Sequence, residues 1–285
     1  MLVVLGATGH TGSVVAERVL ERKQPLRIVV RSAERGTSWA ARGVEVAVAS
    51  LDDQAALTKA LQGASSVYLL IPPNYGATSW LAEQRRRIDR IAEAVKASGI
   101  AQVVLLSSIG GQLPEGTGPI RAARYGEQAL TAVARHVTIL RPGYFMDNWA
   151  SGIGLAKEQG LLPSFIPSRL KMPMISTEDI GRVAADRLMA AGRGHTIVEL
   201  AGPEEYSPEQ AASALSRILG RAVVVQDAPL SAVVPTFTSF GFSTEAAGLF
   251  EEMYASFSKG AVGYERPESL VRGTISLAEA LREMV

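Results

Sequence analysis

Between the apolar run Val3-Val4-Leu5 and the amphipathic run Val14, Val15, Val19 and Leu20 lie three glycines at every third position, in Gly6-Ala7-Thr8-Gly9-His10-Thr11-Gly12. A strand, then spaced glycines, then a helix is the arrangement that holds a diphosphate. Gly6 lets the chain turn off the strand, Gly9 leaves room for a phosphate to touch backbone, and Gly12 lets the helix pack closely on the sheet. The helix expected over residues 11–22 aims its free N–H groups and the positive end of its dipole at that phosphate. Thr8 and Thr11 add hydroxyl donors. The other reading is a tight strand-to-helix turn without a ligand; the flanking strand and helix favour a dinucleotide site.

Ribose specificity is read at the end of the second strand, where an Asp or Glu accepts the hydroxyls of NAD. This chain has Arg31-Ser32 there, with Arg35 close behind. A guanidinium grips a 2′-phosphate through two parallel charge-assisted hydrogen bonds, so NADP(H) is the expected cofactor. The alternative leaves Arg31 and Arg35 as solvated surface charges. Asp52, just after the third strand, suits an adenine contact and the acidic first turn of a helix equally well.

Other chemistries are excluded or unsupported. The chain has no cysteine, which rules out disulfides, thiolate catalysis and cysteine-built metal or iron–sulfur sites. Its three histidines, His10, His136 and His195, show no metal-ligand spacing, and no metal is expected. Twenty-nine basic residues against 28 acidic ones leave a net charge of +1, which suggests neither a nucleic acid nor an anionic membrane as partner. No apolar run reaches about 18 residues, and the first strand starts at the first residues, so no signal or transit segment is expected and the location is read as cytoplasmic.

The elements that must position these residues alternate. Strands are expected at residues 26–30, 44–48, 66–71, 102–106 and 137–140, and helices at 53–61, 78–97 and 119–134. That alternation specifies right-handed βαβ units and a Rossmann-type, doubly wound parallel sheet of the α/β class. Residues 1–150 are expected to form the NADP-binding domain. Beyond Pro142 the pattern loosens through 143–168, then helices return at 178–190, after Ser207-Pro208-Glu209, at 249–257 and at 276–284, with a strand near 196–200. Residues 151–285 are read as a smaller α/β lobe that covers the substrate, with some segments returning to the main sheet.

The motifs Gly6-Ala7-Thr8-Gly9-His10-Thr11-Gly12, Val29-Val30-Arg31-Ser32, Leu105-Leu106-Ser107-Ser108 and Ile139-Leu140-Arg141-Pro142-Gly143-Tyr144-Phe145-Met146-Asp147-Asn148 together resemble the NmrA-like branch of the short-chain dehydrogenase superfamily. Within it, the chain is similar to type-2 NAD(P)H:quinone oxidoreductases and triphenylmethane reductases. The resemblance implies an NADPH-binding domain, a cleft that admits a flat acceptor, and a homodimer. It places Ile71 and Pro72 beside the nicotinamide and Ser107 and Ser108 after the fifth strand as its flanks. Tyr75, Tyr144, Phe145 and Trp149 fall on the loops of the binding edge, either as substrate contacts or as a covered lobe interface.

One departure shapes the expected chemistry. Reductases of the main short-chain family protonate their product with the Tyr of a Tyr-x-x-x-Lys pair. Here Tyr125 is followed four residues later by Ala129, and Arg124, near where relatives carry a Lys or a polar residue, can orient a ribose but is a poor acid. No catalytic residue is therefore assigned. The expected function is NADPH-dependent hydride transfer to a quinone-like or other conjugated small electrophile, with alignment supplied by the protein and the proton by solvent. A non-catalytic NADP(H) sensor of the NmrA type is the alternative, and an isomerase or reductase of secondary metabolism is a third.

Overall fold

The computed structural model describes residues 1–285. In chain order it begins β1 (Leu2–Leu5), α1 (His10–Glu21), β2 (Leu26–Val30), a short α2 (Thr37–Ala40), β3 (Glu45–Val48), α3 (Gln54–Leu61), β4 (Ser66–Leu69), α4 (Trp80–Ser98), β5 (Gln102–Leu106), α5 (Ile120–Thr131) and β6 (His136–Pro142). There follow β7 (Tyr144–Phe145), α6 (Ala150–Gln159), β8 (Leu161–Ser164), β9 (Met172–Ile175), α7 (Thr177–Met189), β10 (His195–Ala201), β11 (Glu205–Tyr206) and α8 (Pro208–Leu219). The chain closes with β12 (Val224–Asp227), α9 (Val233–Ser239), α10 (Thr244–Ser258), β13 (Val271–Arg272) and α11 (Leu277–Met284).

Eight strands pair in the order β3-β2-β1-β4-β5-β6-β10-β13, all parallel. Side chains alternate between the two faces of a strand, and here both faces are apolar, as a sheet covered on both sides requires. Val4, Ile28, Tyr68 and Val104 pack under α1 and α7, whereas Val3, Leu5, Val67 and Val103 pack under α3, α4 and α5. The strand order reverses between β1 and β4, and a crevice opens beyond the carboxyl ends at that reversal, where open α/β sheets bind ligands.

Elements beyond residue 150 divide between two places. Helix α7 packs on α1 so closely that a Cβ on Gly181 would sit 2.5 Å from Val14 Cβ, and β10 and β13 extend the main sheet. The remaining elements form a second core around Trp149, Leu162, Met174, Leu215 and Leu281. The buried Asp179 carboxylate joins the two, accepting from Ser176 Oγ and from the backbone N–H groups of Thr274 and Ile275.

The irregular reading of residues 143–168 needs correction, because α6 and β8 lie there. Helix α6 contains Ser151, Gly152 and Gly154, which are weak helix formers, and packing holds it instead. A Cβ on Gly152 would lie 2.7 Å from Leu162 Cδ1, so the missing side chain permits the close contact. Helix α9, which contains Val233, Val234 and Pro235, carries no helical signal in its sequence either. No helix is long and apolar enough to cross a membrane.

Candidate active site

The glycine loop has the geometry its spacing implies. Gly6 takes φ +72°, a left-handed conformation that favours glycine, and its carbonyl accepts from Gly9 N–H at 2.9 Å. Gly12 is held to hydrogen by its surroundings: a Cβ there would lie 2.2 Å from the Gly6 carbonyl oxygen. Ala7 is buried beneath the loop, while Thr8, Gly9 and His10 are exposed. Helix α1 begins after Gly9 with no side-chain cap and no acidic residue in its first turn, and the N–H groups of His10, Thr11 and Gly12 have no protein acceptor. Three free N–H groups at the positive end of a helix dipole suit a diphosphate. Thr11 is a correction to the expected hydroxyl donors: its buried Oγ1 accepts from Tyr68 Oη at 2.9 Å and belongs to the core.

Beyond β2 the chain makes a 3-10 turn, Ala33–Gly36, with Arg31 and Arg35 exposed and in no ion pair. Between them Glu34, which sequence reading passed over, has its carboxyl held below the usual range by the Ser32 hydroxyl and by its own backbone N–H. The rim therefore carries two free guanidinium groups and one fixed carboxylate. Asp52 is committed elsewhere: Arg87 grips both its oxygens at 3.0 and 3.1 Å and Arg90 stands at 3.5 Å, which lowers its carboxyl pKa, chiefly through the Arg87 hydrogen bonds. Nor does it lie in the first turn of α3, which Asp53 caps, its carboxylate accepting from Ala56 N–H.

A cavity of about 480 Å³ lies at the carboxyl ends of β4, β5 and β6. Ile71 and Pro72 form one wall, Ser107 and Ser108 the floor, and Tyr144 and Phe145 a second wall. Tyr75 closes it, stacked on Phe242 with ring centroids 4.4 Å apart and meeting Phe250 edge-on at 5.2 Å. Phe250, Met253 and Phe257 of α10 and Trp80 and Gln84 of α4 complete the lining and were not anticipated from sequence. None of the 23 lining residues is Asp, Glu, Lys, Arg or His. Burial pushes the Tyr75 phenol up to about 12 and raises that of Tyr144 further, the nearby Tyr254 adding to the rise and a hydrogen bond with Asn148 opposing it.

Two expected site residues lie off this cavity. Trp149 is buried in the second core, where its ring meets Tyr144 at 6.0 Å; it supports a wall without lining it. Arg124 donates from Nη1 to the carbonyls of Gly111 and Gln112 at 3.3 and 2.7 Å, tying α5 to the loop after β5. The α5 side chains that do line the cavity are Ile120, Ala122 and Ala123. Tyr125 points away from it, donating to Asp89 at 2.7 Å on the exposed side.

Beneath the floor is a buried ionic group that sequence reading missed. Arg141 donates from Nε and Nη2 to both oxygens of Glu127, at 2.9 and 2.6 Å, and from Nη1 to Glu265 at 2.8 Å. Ser107 Oγ donates to the same Glu127 carboxylate, so the hydroxyl proton faces the protein. A charged residue directly after the apolar run Ile139-Leu140, inside β6, could have signalled it, since a buried Arg needs a buried acid. Arg141→Leu would strand the Glu127 charge and is expected to cost about 3–5 kcal/mol in urea unfolding, whereas Arg141→Leu with Glu127→Leu should recover most of that loss. A single variant as stable as the parent would refute the coupling.

The chain is similar to several known proteins. An NAD(P)H azoreductase of Xenophilus azovorans is 27% identical over 90% of this chain and 86% of its own length. A (4-alkanoyl-5-oxo-2,5-dihydrofuran-3-yl)methyl phosphate reductase of Streptomyces griseus is 33% identical over 78% of this chain and 74% of its own. The crystal structure of an NADPH-dependent quinone oxidoreductase of Escherichia coli in complex with NADPH superposes over 100% of this chain and 99% of that one, with a TM-score of 0.84 at 24% identity, and so has the same fold. The NmrA-like family model matches residues 1–276, and the chain belongs to that family.

Proposed function

We propose that the protein is an NADPH-dependent reductase of uncharged, planar, conjugated acceptors such as quinones. The observation that carries this reading is the cavity, which is mostly apolar and aromatic and holds no ionic side chain. A phosphorylated substrate like that named for the Streptomyces relative would find no cation there.

Bound NADPH supplies two electrons and a proton as a hydride. The loop Gly6 to Gly12, with the free N–H groups opening α1, would hold its diphosphate, and Arg31, Ser32 and Arg35 would hold the 2′-phosphate. Ile71, Pro72, Ser107 and Ser108 would border the nicotinamide. The aromatic walls keep water from the reacting face and press a flat acceptor against it. No lining group is a ready acid: Ser107 donates its hydroxyl hydrogen bond to Glu127, and Tyr75 and Tyr144 are weaker acids than free phenols. Water supplies the second proton to the reduced acceptor, a route open to quinones because their reduced anion is stable enough to await it. In this reading residues 1–150 carry the cofactor and later elements cover the acceptor.

Purified protein mixed with NADPH and a series of quinones should show acceptor-dependent loss of the reduced cofactor's absorbance. Binding of NADPH with no acceptor ever consumed would favour a sensor instead. Arg31→Ala should weaken NADPH about ten- to hundredfold and leave NADH nearly unchanged, since only the 2′-phosphate contact is lost; equal effects on both in a fluorescence titration would remove the Arg31 assignment. The raised phenol pKa values keep both tyrosines protonated below about pH 12. Hence kcat/KM for the acceptor, at saturating NADPH, should stay level from about pH 7 to 11. An alkaline limb near pH 10 would show a tyrosine of ordinary acidity in the rate.

A further inference from the structure

Among the polar groups of the cavity, a buried amide on α4 has no protein hydrogen-bond partner. Gln84 is 2% exposed, lines the cavity from the second turn of α4, and its amide makes no hydrogen bond to any residue. One turn earlier Trp80 is 3% exposed, lines the same cavity, and its indole Nε1–H is also unpaired. The Tyr75 hydroxyl also lacks a hydrogen-bond partner but is only partly buried, and the remaining polar groups differ. Ser107 donates to Glu127, Tyr144 is paired with Asn148, and Ser108 is half-buried at the floor.

A buried amide without a partner destabilises the fold by more than a hydrogen bond gains, so leucine or methionine would suit this position better if packing were its only role. Gln84 follows Trp80 by four residues and precedes Ile88 by four, and all three face inward, so the helix presents the unpaired groups side by side. A carbonyl-type oxygen can take the N–H donors of the Gln84 amide, whereas the Trp80 indole N–H has no accessible surface and stays behind the wall. The amide oxygen can in turn accept from a hydroxyl, so the same side chain serves an acceptor before reduction and its hydroxylated product afterwards.

We propose that Gln84 is the polar anchor of the acceptor site and recognises a carbonyl oxygen on an otherwise apolar ring system, with the Trp80 ring as apolar wall beside it. This rests on the reading of the cavity as the acceptor site. Its selectivity is for a neutral oxygen: the amide orients the ring without a charge, and the aromatic walls provide the affinity.

The test uses the complex with oxidised NADP, so that no turnover occurs, and equilibrium dialysis of 1,4-naphthoquinone and of naphthalene, its carbonyl-free analogue. The absence of cysteine removes the usual site of quinone alkylation. Gln84→Leu and Gln84→Met should each weaken naphthoquinone about three- to tenfold, leave naphthalene and NADP affinity unchanged, and keep or raise Tm. Four results would overturn the assignment: naphthoquinone affinity unchanged in both variants, equal losses for both ligands, no naphthoquinone binding by the parent protein, or a collapse of Tm in both variants, which would make Gln84 a packing residue. Failure of NADPH oxidation with an intact binding difference would count against the reductase reading alone.

Discussion

A carboxylate and a guanidinium taken out of water, Glu127 and Arg141, join α5 to β6 under the floor of the cavity. Each is almost wholly buried, and desolvating two charges is offset only where geometry is bidentate and the remaining lone pairs and protons are satisfied. Here they are: Arg141 spends its third contact on Glu265, and Glu127 takes the Ser107 hydroxyl. The pair also dictates its surroundings. A Cβ at Gly111 would lie 2.5 Å from Glu127 Oε1, so the loop after β5 passes only as glycine. Across the sheet Glu199, in register with Arg141, accepts the N–H groups of Glu265 and Arg266 and draws the C-terminal strap over the strand ends.

That anchoring separates the two demands made on the carboxyl edge of the sheet. On the β1 side, α1 must approach Gly6 closely enough that its first N–H groups stay free, and glycine at position 12 is what permits it. On the β5–β6 side, ionic groups hold the backbone so firmly that no charge is needed in the cavity itself. The result is an apolar slot floored by Ser107 and Ser108, the Ser107 hydroxyl being oriented from below by Glu127. Such a site selects by shape and by the energetics of burying a flat ring, about 25 cal/mol for each Å² removed from water, rather than by ion pairing.

The lobe over the slot shows how an aromatic position acquires its role. Tyr75, Tyr144 and Trp149 are equally plausible contacts by composition and loop placement. Tyr75 stacks on Phe242 and Tyr144 stands in the wall, but Trp149 closes a 3-10 turn, Met146–Trp149, that rotates its ring into the second core. Arg124 and Glu127 are three residues apart on one helix, yet Arg124 ties a surface loop and Glu127 carries the buried pair.

By itself the sequence determined the doubly wound sheet, the glycine loop and the arginines after β2, because these follow from local rules: continuous apolar β-branched runs alternating with helices, glycine at a strand-to-helix turn, and Arg-Ser in place of an acid directly at the end of β2. Ser207 as cap and Pro208 at the first helical position likewise announce α8 as residue types. Tertiary structure alone decided which side chains meet at the cavity, since Gln84, Ser107, Tyr144 and Phe250 come from four distant segments with no shared pattern. It alone decided that α6 is a helix, through a contact at Gly152 that outweighs poor propensity, and that Thr11 faces Tyr68 rather than a phosphate. Local propensity is a matter of tenths of a kcal/mol per residue, whereas close packing and the pairing of buried polar groups decide several kcal/mol at a time.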